Sequence, residues 1–94
     1  MELKDTIQMM NSSDYKERFK AEYWQTKARY EKLKKFNTKI EAAGRSYCQG
    51  KRVEEPKHDC PPDLLREQQE CMGHYLHILE VRAVIEDIEL EETE

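Results

Sequence analysis

Apolar positions along the chain fall into helical repeats, the clearest of them between Pro62 and Leu90. Leu65, Met72 and Leu79 recur every seven residues, and Gln69, Leu76 and Ala83 follow each by four, so a helix would align them as one seam for a neighbouring helix. A second row, Cys71, His74, Ile78, Val81, Ile85 and Ile88, repeats with spacings of three and four about 100° round the same helix. One neighbour cannot cover both rows. The pattern therefore predicts a partner helix within the chain and contacts between copies of the chain through Ile78, Val81, Ile85 and Ile88. Between the rows run Gln68, Tyr75 and Arg82, again seven apart. Polar groups beside an apolar seam lose solvation unless they are paired, so these three should meet one another, a partner chain or a ligand. A network that sets helix register and a binding site share this pattern.

A matching repeat lies upstream. Asp14, followed three residues later by Glu17, reads as an N-cap with an acidic first turn, and Phe19, Tyr23, Thr26, Tyr30, Leu33, Asn37 and Ile40 form the seam behind it. The two helices agree in period and roughly in length, which predicts an antiparallel pair about 45 Å long. Before them, Leu3, Ile7 and Met10 have the spacing of a short amphipathic helix that must dock to persist. Gly44 reads as the end of the first long helix, and Arg45 to Cys60 as a loop longer than two packed helices require. Such a loop suits a mobile segment, a partner contact or, through Lys51, Arg52 and Lys57, a lid over an anion. Pro61 and Pro62 then open the second helix. The expected fold class is all-α: one helical-hairpin domain over residues 1–94, with helices at about 14–43 and 62–90, a loop at 44–61 and an acidic tail at 91–94.

Composition sharpens this picture. With 37% hydrophobic and 38% charged residues in 94, the core of a single copy is thin, which again favours assembly into a homo-oligomer. No apolar run approaches the roughly 18 residues of a membrane span, and Met1 to Met10 lacks the apolar core of a signal peptide, so the expected compartment is the cytoplasm. Charge is divided between the halves. Up to Arg52 there are 13 Lys and Arg against 7 Asp and Glu, a net of +6; from Val53 onward there are 3 against 13, a net of −10. The halves should attract, and the basic first helix favours an anionic ligand.

Candidate chemistry is that of binding. Tyr15, Tyr23 and Tyr30 suit either a core that keeps its hydroxyls at the rim or a platform for bases, with Lys16, Arg18, Lys20, Lys27 and Arg29 beside them to meet phosphates. Tyr15, in the first helical turn, lies where an anion meets free backbone N–H groups. Cys48, His58 and Cys60 share the loop but lack a C-x-x-C or H-x-x-x-H pair, and Cys71, His74 and His77 are grouped wrongly for a tetrahedral metal site. A Cys48–Cys60 disulfide is disfavoured by a cytoplasmic setting. No phosphate loop, nucleophile elbow or H-E-x-x-H pattern occurs, so no enzymatic activity is expected. The net charge of −4 and the acidic tail oppose a phosphate track for DNA or RNA. A small anion in a local basic pocket fits better.

The run Leu64-Leu65, Gln68, Met72, Tyr75, Leu79, Arg82 resembles the signature of the helical-hairpin domain shared by phage anti-CBASS and anti-Thoeris proteins, which sequester cyclic nucleotide signals of bacterial immunity. Arg18 and Glu22, four apart on the first helix, are compatible with it, and Asp14 to Leu33 together with Asp63 to Leu90 is similar to small proteins of crAss-like and other gut phages. The resemblance implies a phage sponge in the host bacterial cytoplasm that holds a cyclic oligonucleotide or a cyclic ADP-ribose isomer intact, with no cofactor and no membrane or nucleic-acid partner. It also implies homo-oligomers, often hexamers, with ligand sites between protomers. Arg82 carries over as the motif's arginine. Chemistry and helix phase add Tyr15, Arg18 and Lys27 as ligand contacts, and Tyr75 joins them from the line it shares with Gln68 and Arg82. The long loop Gly44 to Pro61 departs from the short-linked members, which leaves ligand identity open. The alternative is a structural or adaptor helical oligomer with no small ligand.

Overall fold

A computed structural model describes residues 1–47, 50 and 53–90, and among them the regular structure is entirely helical. A 3-10 turn, Leu3–Thr6, runs into a short helix α1, Ile7–Met10; α2 spans Tyr15–Tyr47 and α3 spans Pro62–Ile85. Asp14 caps α2, its Oδ1 accepting the Lys16 N–H at 3.1 Å, so the acidic cap itself occupies the amide end expected to attract an anion. Proline opens α3 at its first helical position, where a missing N–H costs nothing.

The contacts between α2 and α3 pair opposite ends. Tyr15 meets Arg82, Tyr23 meets Glu80, Tyr30 lies over Gly73 and Asn37 meets Leu65 and Gln69. Phe19, Tyr23, Leu76, Leu79, Ala83 and Ile88 form the core, with Leu79 wholly buried. Gly73 lets the Tyr30 ring come close: a Cβ there would sit 3.3 Å from the ring, which would have to give by a few tenths of an ångström.

Two boundaries and one docking contact differ from those the sequence suggests. Helix α2 continues through Gly44 to Tyr47: Gly44 is exposed, lacks the left-handed φ that ends helices at glycine, and Arg45 extends the helix with an i,i+4 pair to Glu41 at 2.9 Å. Helix α3 stops at Ile85 because Asp87 takes φ 56° and turns the chain back, so that the Ile88 N–H reaches the Ala83 carbonyl at 2.8 Å. Ile88 therefore closes its own chain's core, 6% exposed, which leaves little of it to meet a second copy as the sequence pattern predicts. In the N-terminal segment the docked residue is Thr6, fully buried, while Ile7 and Met10 are 56% and 49% exposed. Thr6 Oγ1 donates to the Leu3 carbonyl at 2.7 Å and accepts from Gln25 Nε2 at 3.0 Å, and Gln25 Nε2 also contacts Met10 Sδ. A polar anchor on α2 thus outweighs the apolar spacing.

Helix α2 is consequently the central element. The N-terminal segment packs on it, and α3 packs on the side bearing Phe19 and Tyr23. The Cys48–Cys60 pair that the sequence disfavours, the loop cations Lys51 and Arg52 and the acidic tail 91–94 lie in whole or part outside the described residues; Cys60 is exposed with a free thiol. The described loop is anchored at His58, half-buried, whose Nδ1 donates to the Cys60 carbonyl at 2.7 Å and whose ring meets Phe36 edge-on at 6.2 Å.

Candidate functional site

Two places on this frame bring charged or aromatic groups together. The first joins the start of α2 to the end of α3. Arg82 Nη2 donates to Tyr15 Oη at 2.8 Å, Tyr15 Oη donates to Glu86 Oε1 at 2.8 Å, and Arg82 Nε donates to Glu86 Oε2 at 3.1 Å. The guanidinium lies 4.9 Å from the centre of the Phe19 ring, and Lys16 Nζ donates to the Asp87 carbonyl at 3.3 Å. The hydrogen bond to Glu86 is the main cause that raises the Tyr15 hydroxyl's pKa, and the bond from Tyr15 chiefly lowers that of Glu86. Arg82 is held still more firmly protonated, first by its bond to Glu86.

This cluster is a closed circuit. One guanidinium answers one carboxylate, and the phenol bridges them, so the charge expected to face an anion is largely neutralised within the chain. Only Arg82 Nη1 donates to nothing among the described residues. Arg82 is also held differently from the sequence expectation: Gln68 turns to the Met72 sulfur at 3.9 Å, and Arg82 is gripped by Tyr15, Phe19 and Glu86 rather than by Gln68 and Tyr75. Arg82 and Glu86, four apart on one helix, are a readable pair in the sequence. Phe19 is readable only as a seam residue.

The other ligand residues expected from sequence are dispersed. Arg18 Nη1 donates to the Ser12 carbonyl at 2.9 Å and fastens the turn before α2. Tyr75 is exposed on the outer face of α3. Lys27 lies three turns along α2 from Tyr15, its Nζ 5.8 Å from the centre of the Tyr23 ring, and lines the second place.

That place is a groove of about 570 Å³ between the N-terminal segment and α2. Trp24, Lys27, Ala28 and Lys32 come from α2, with Leu3 and Lys4 across from them. Trp24 is half-buried and set edge-on to Tyr23 at 5.3 Å, which fixes its indole. Met1, Glu2 and Glu31 also line the groove, and Lys4 Nζ is 3.6 Å from Glu2 Oε2, so three lysines and two carboxylates share it. A more open cleft of about 840 Å³ at Tyr47, Val53, Glu54 and Glu55 presents carboxylates among its described residues. Among the described residues no three His, Cys, Asp or Glu side chains converge as a metal site would require, and no helix is long and apolar enough to cross a membrane.

A family model described as Sequestin matches residues 13–85. The chain belongs to the Sequestin family. The match takes in α2, α3 and the connection between them, and it leaves out the N-terminal segment and the Ile88 turn. Within the Sequestin region lie Trp24, Lys27 and Lys32, as do Tyr15 and Arg82. No curated protein and no solved structure matches the chain.

Proposed function

We propose that this chain is a phage immune-evasion sponge that binds cyclic nucleotide second messengers, either cyclic oligonucleotides or cyclic ADP-ribose isomers, and withholds them from host receptors without cleaving them. It works in the host bacterial cytoplasm as a homo-oligomer of antiparallel hairpins. Membership of the Sequestin family over residues 13–85 is the observation that carries this reading. The groove beside α2 supplies fitting chemistry: the Trp24 face stacks on a base, while Lys27 and Lys32 meet phosphates, and the N-terminal segment closes over the ligand. The Tyr15–Arg82–Glu86 circuit then holds the ends of the hairpin together.

A panel of cyclic nucleotides screened by thermal shift and calorimetry tests this. Binding of at least one member is expected, with the ligand recovered intact after the protein is denatured, and Lys27→Glu is expected to weaken it at least about tenfold, since a phosphate partner is reversed in sign. A hydrolysed or linearised product that scales with protein concentration would make the chain an enzyme instead. Silence across the whole panel would favour a structural or adaptor oligomer, the reading for which the internal neutralisation of Arg82 by Glu86 speaks.

A further inference from the structure

The outer face of α3 is unoccupied in the single chain. Leu64, Cys71, Ile78 and Ile85 follow one another at intervals of seven along it, and all four are exposed, Ile85 to 77%. Val81 at 44% and Tyr75 at 38% flank them. This strip is six turns long, about 32 Å, and Glu67 and Arg82 are the charged residues at its centre line, one near each end. Glu67 forms no ion pair among the described residues, and Arg82 Nη1 is the donor left over from the Tyr15–Glu86 circuit.

We infer that this face is covered by the same face of a second copy, with the two α3 helices antiparallel and related by a two-fold axis between His74 and Tyr75. Residues equally far from that midpoint then oppose each other. Leu64 meets Ile85 of the other copy, Cys71 meets Ile78, and Glu67 meets Arg82, so apolar falls on apolar and each carboxylate reaches the spare guanidinium donor. Each contact occurs twice, as an isologous interface requires. The parallel arrangement sets every residue against itself, placing Arg82 on Arg82 and Glu67 on Glu67. Charge therefore selects the antiparallel register. The inference rests on the assembly part of the reading above and not on any ligand.

Cysteine crosslinking tests the register. In a Cys48→Ser/Cys60→Ser protein the one thiol left is Cys71, which in the antiparallel pair is offset from its own copy by about two turns, or roughly 10 Å, beyond the reach of a disulfide. That protein is expected to stay uncrosslinked under mild oxidation, whereas adding Ile78→Cys should give a dimer linked from residue 71 to residue 78, as read by peptide mapping. Glu67→Arg, an exposed change, should raise the dimer dissociation constant at least about tenfold. Crosslinking through Cys71 alone would establish the parallel pair and overturn the inference. So would a monomer in light scattering at tens of micromolar, or an unaltered dimer in Glu67→Arg. Cyclic nucleotide binding is measured on the parent and on the same variants, so that a parent that is monomeric or crosslinks through Cys71 alone, yet still binds, removes this inference and leaves sequestration standing.

Discussion

Asn37 presents a prediction in which several effects of similar size must be weighed. It is 8% exposed in the seam between α2 and α3, where its Nδ2 donates to Gln69 Oε1 at 2.9 Å and to the Leu65 carbonyl at 3.1 Å. Its Oδ1 is buried with no partner. Replacing both polar residues, as Asn37→Leu/Gln69→Leu, removes two hydrogen bonds worth about 1 kcal/mol each net, and it also removes an unpaired acceptor that costs about 1 to 3 kcal/mol. The Leu65 carbonyl loses only a second partner, since it lies within a helix. Two leucines gained at half-buried to buried positions contribute roughly 1.5 kcal/mol or more each. Similar volumes and a neighbouring cleft of about 180 Å³ make room for them.

The balance favours the double variant by on the order of 2 kcal/mol, which for a domain of this size raises the melting temperature by roughly 8 to 16 °C. Urea unfolding, with the slope checked against the parent, measures it. Asn37→Leu alone should gain much less, because Gln69 then loses its donor. A double variant less stable than the parent by 1 kcal/mol or more would refute the reasoning and show that the Asn37–Gln69 pair stabilises the seam outright. If the pair instead fixes the register of α2 on α3, the more stable variant should show broadened or doubled amide resonances.

Two further outcomes follow from single positions. Gly44→Ala should stabilise the protein by about 0.5 to 1 kcal/mol, read as a rise in melting temperature, since Gly44 lies inside α2 and a Cβ there meets nothing within 4 Å. Burial, and then the bond at 2.8 Å to Glu80, push the Tyr23 hydroxyl's pKa up to about 12 from 10.0. The folded state thus keeps a proton that the unfolded chain releases, so stability is full below pH 10 and falls as the pH rises toward 12; Tyr23→Phe should flatten that fall in thermal melts taken across this range.

The seams were legible because each repeats with a period near 3.5 over many turns, and the structure packs Phe19 and Tyr23 with Leu76, Leu79 and Ala83, and Asn37 with Leu65 and Gln69, as that period requires. The starts of the long helices were legible in Asp14 and Pro62, but their C-terminal ends were not legible from residue type. Gly44 reads as a stop, but a glycine ends a helix only when the chain takes up the left-handed turn there; Gly44 stays inside α2, the left-handed glycine is Gly50 beyond its end, and after α3 the turn falls on Asp87. One residue in that conformation moved Ile88 from an outer row into the core. Thr6 shows the same limit from the other side, because its burial depends on Gln25, nineteen positions away, and not on its own spacing.

The candidate site divides along the same line. Lys27 and Trp24 could be named from composition, but their convergence depends on where the N-terminal segment lands, and that is decided by the Thr6–Gln25 bond. The family match begins at residue 13 and therefore excludes the strand of chain that walls the groove. Within the groove, Trp24, Lys27 and Lys32 lie inside the matched region and Leu3 and Lys4 outside it. Arg82 belongs to the opposite case. Its motif position was evident from sequence, yet Glu86 and Tyr15 claim two of its donor groups within the chain, leaving Nη1 for whatever approaches α3 from outside.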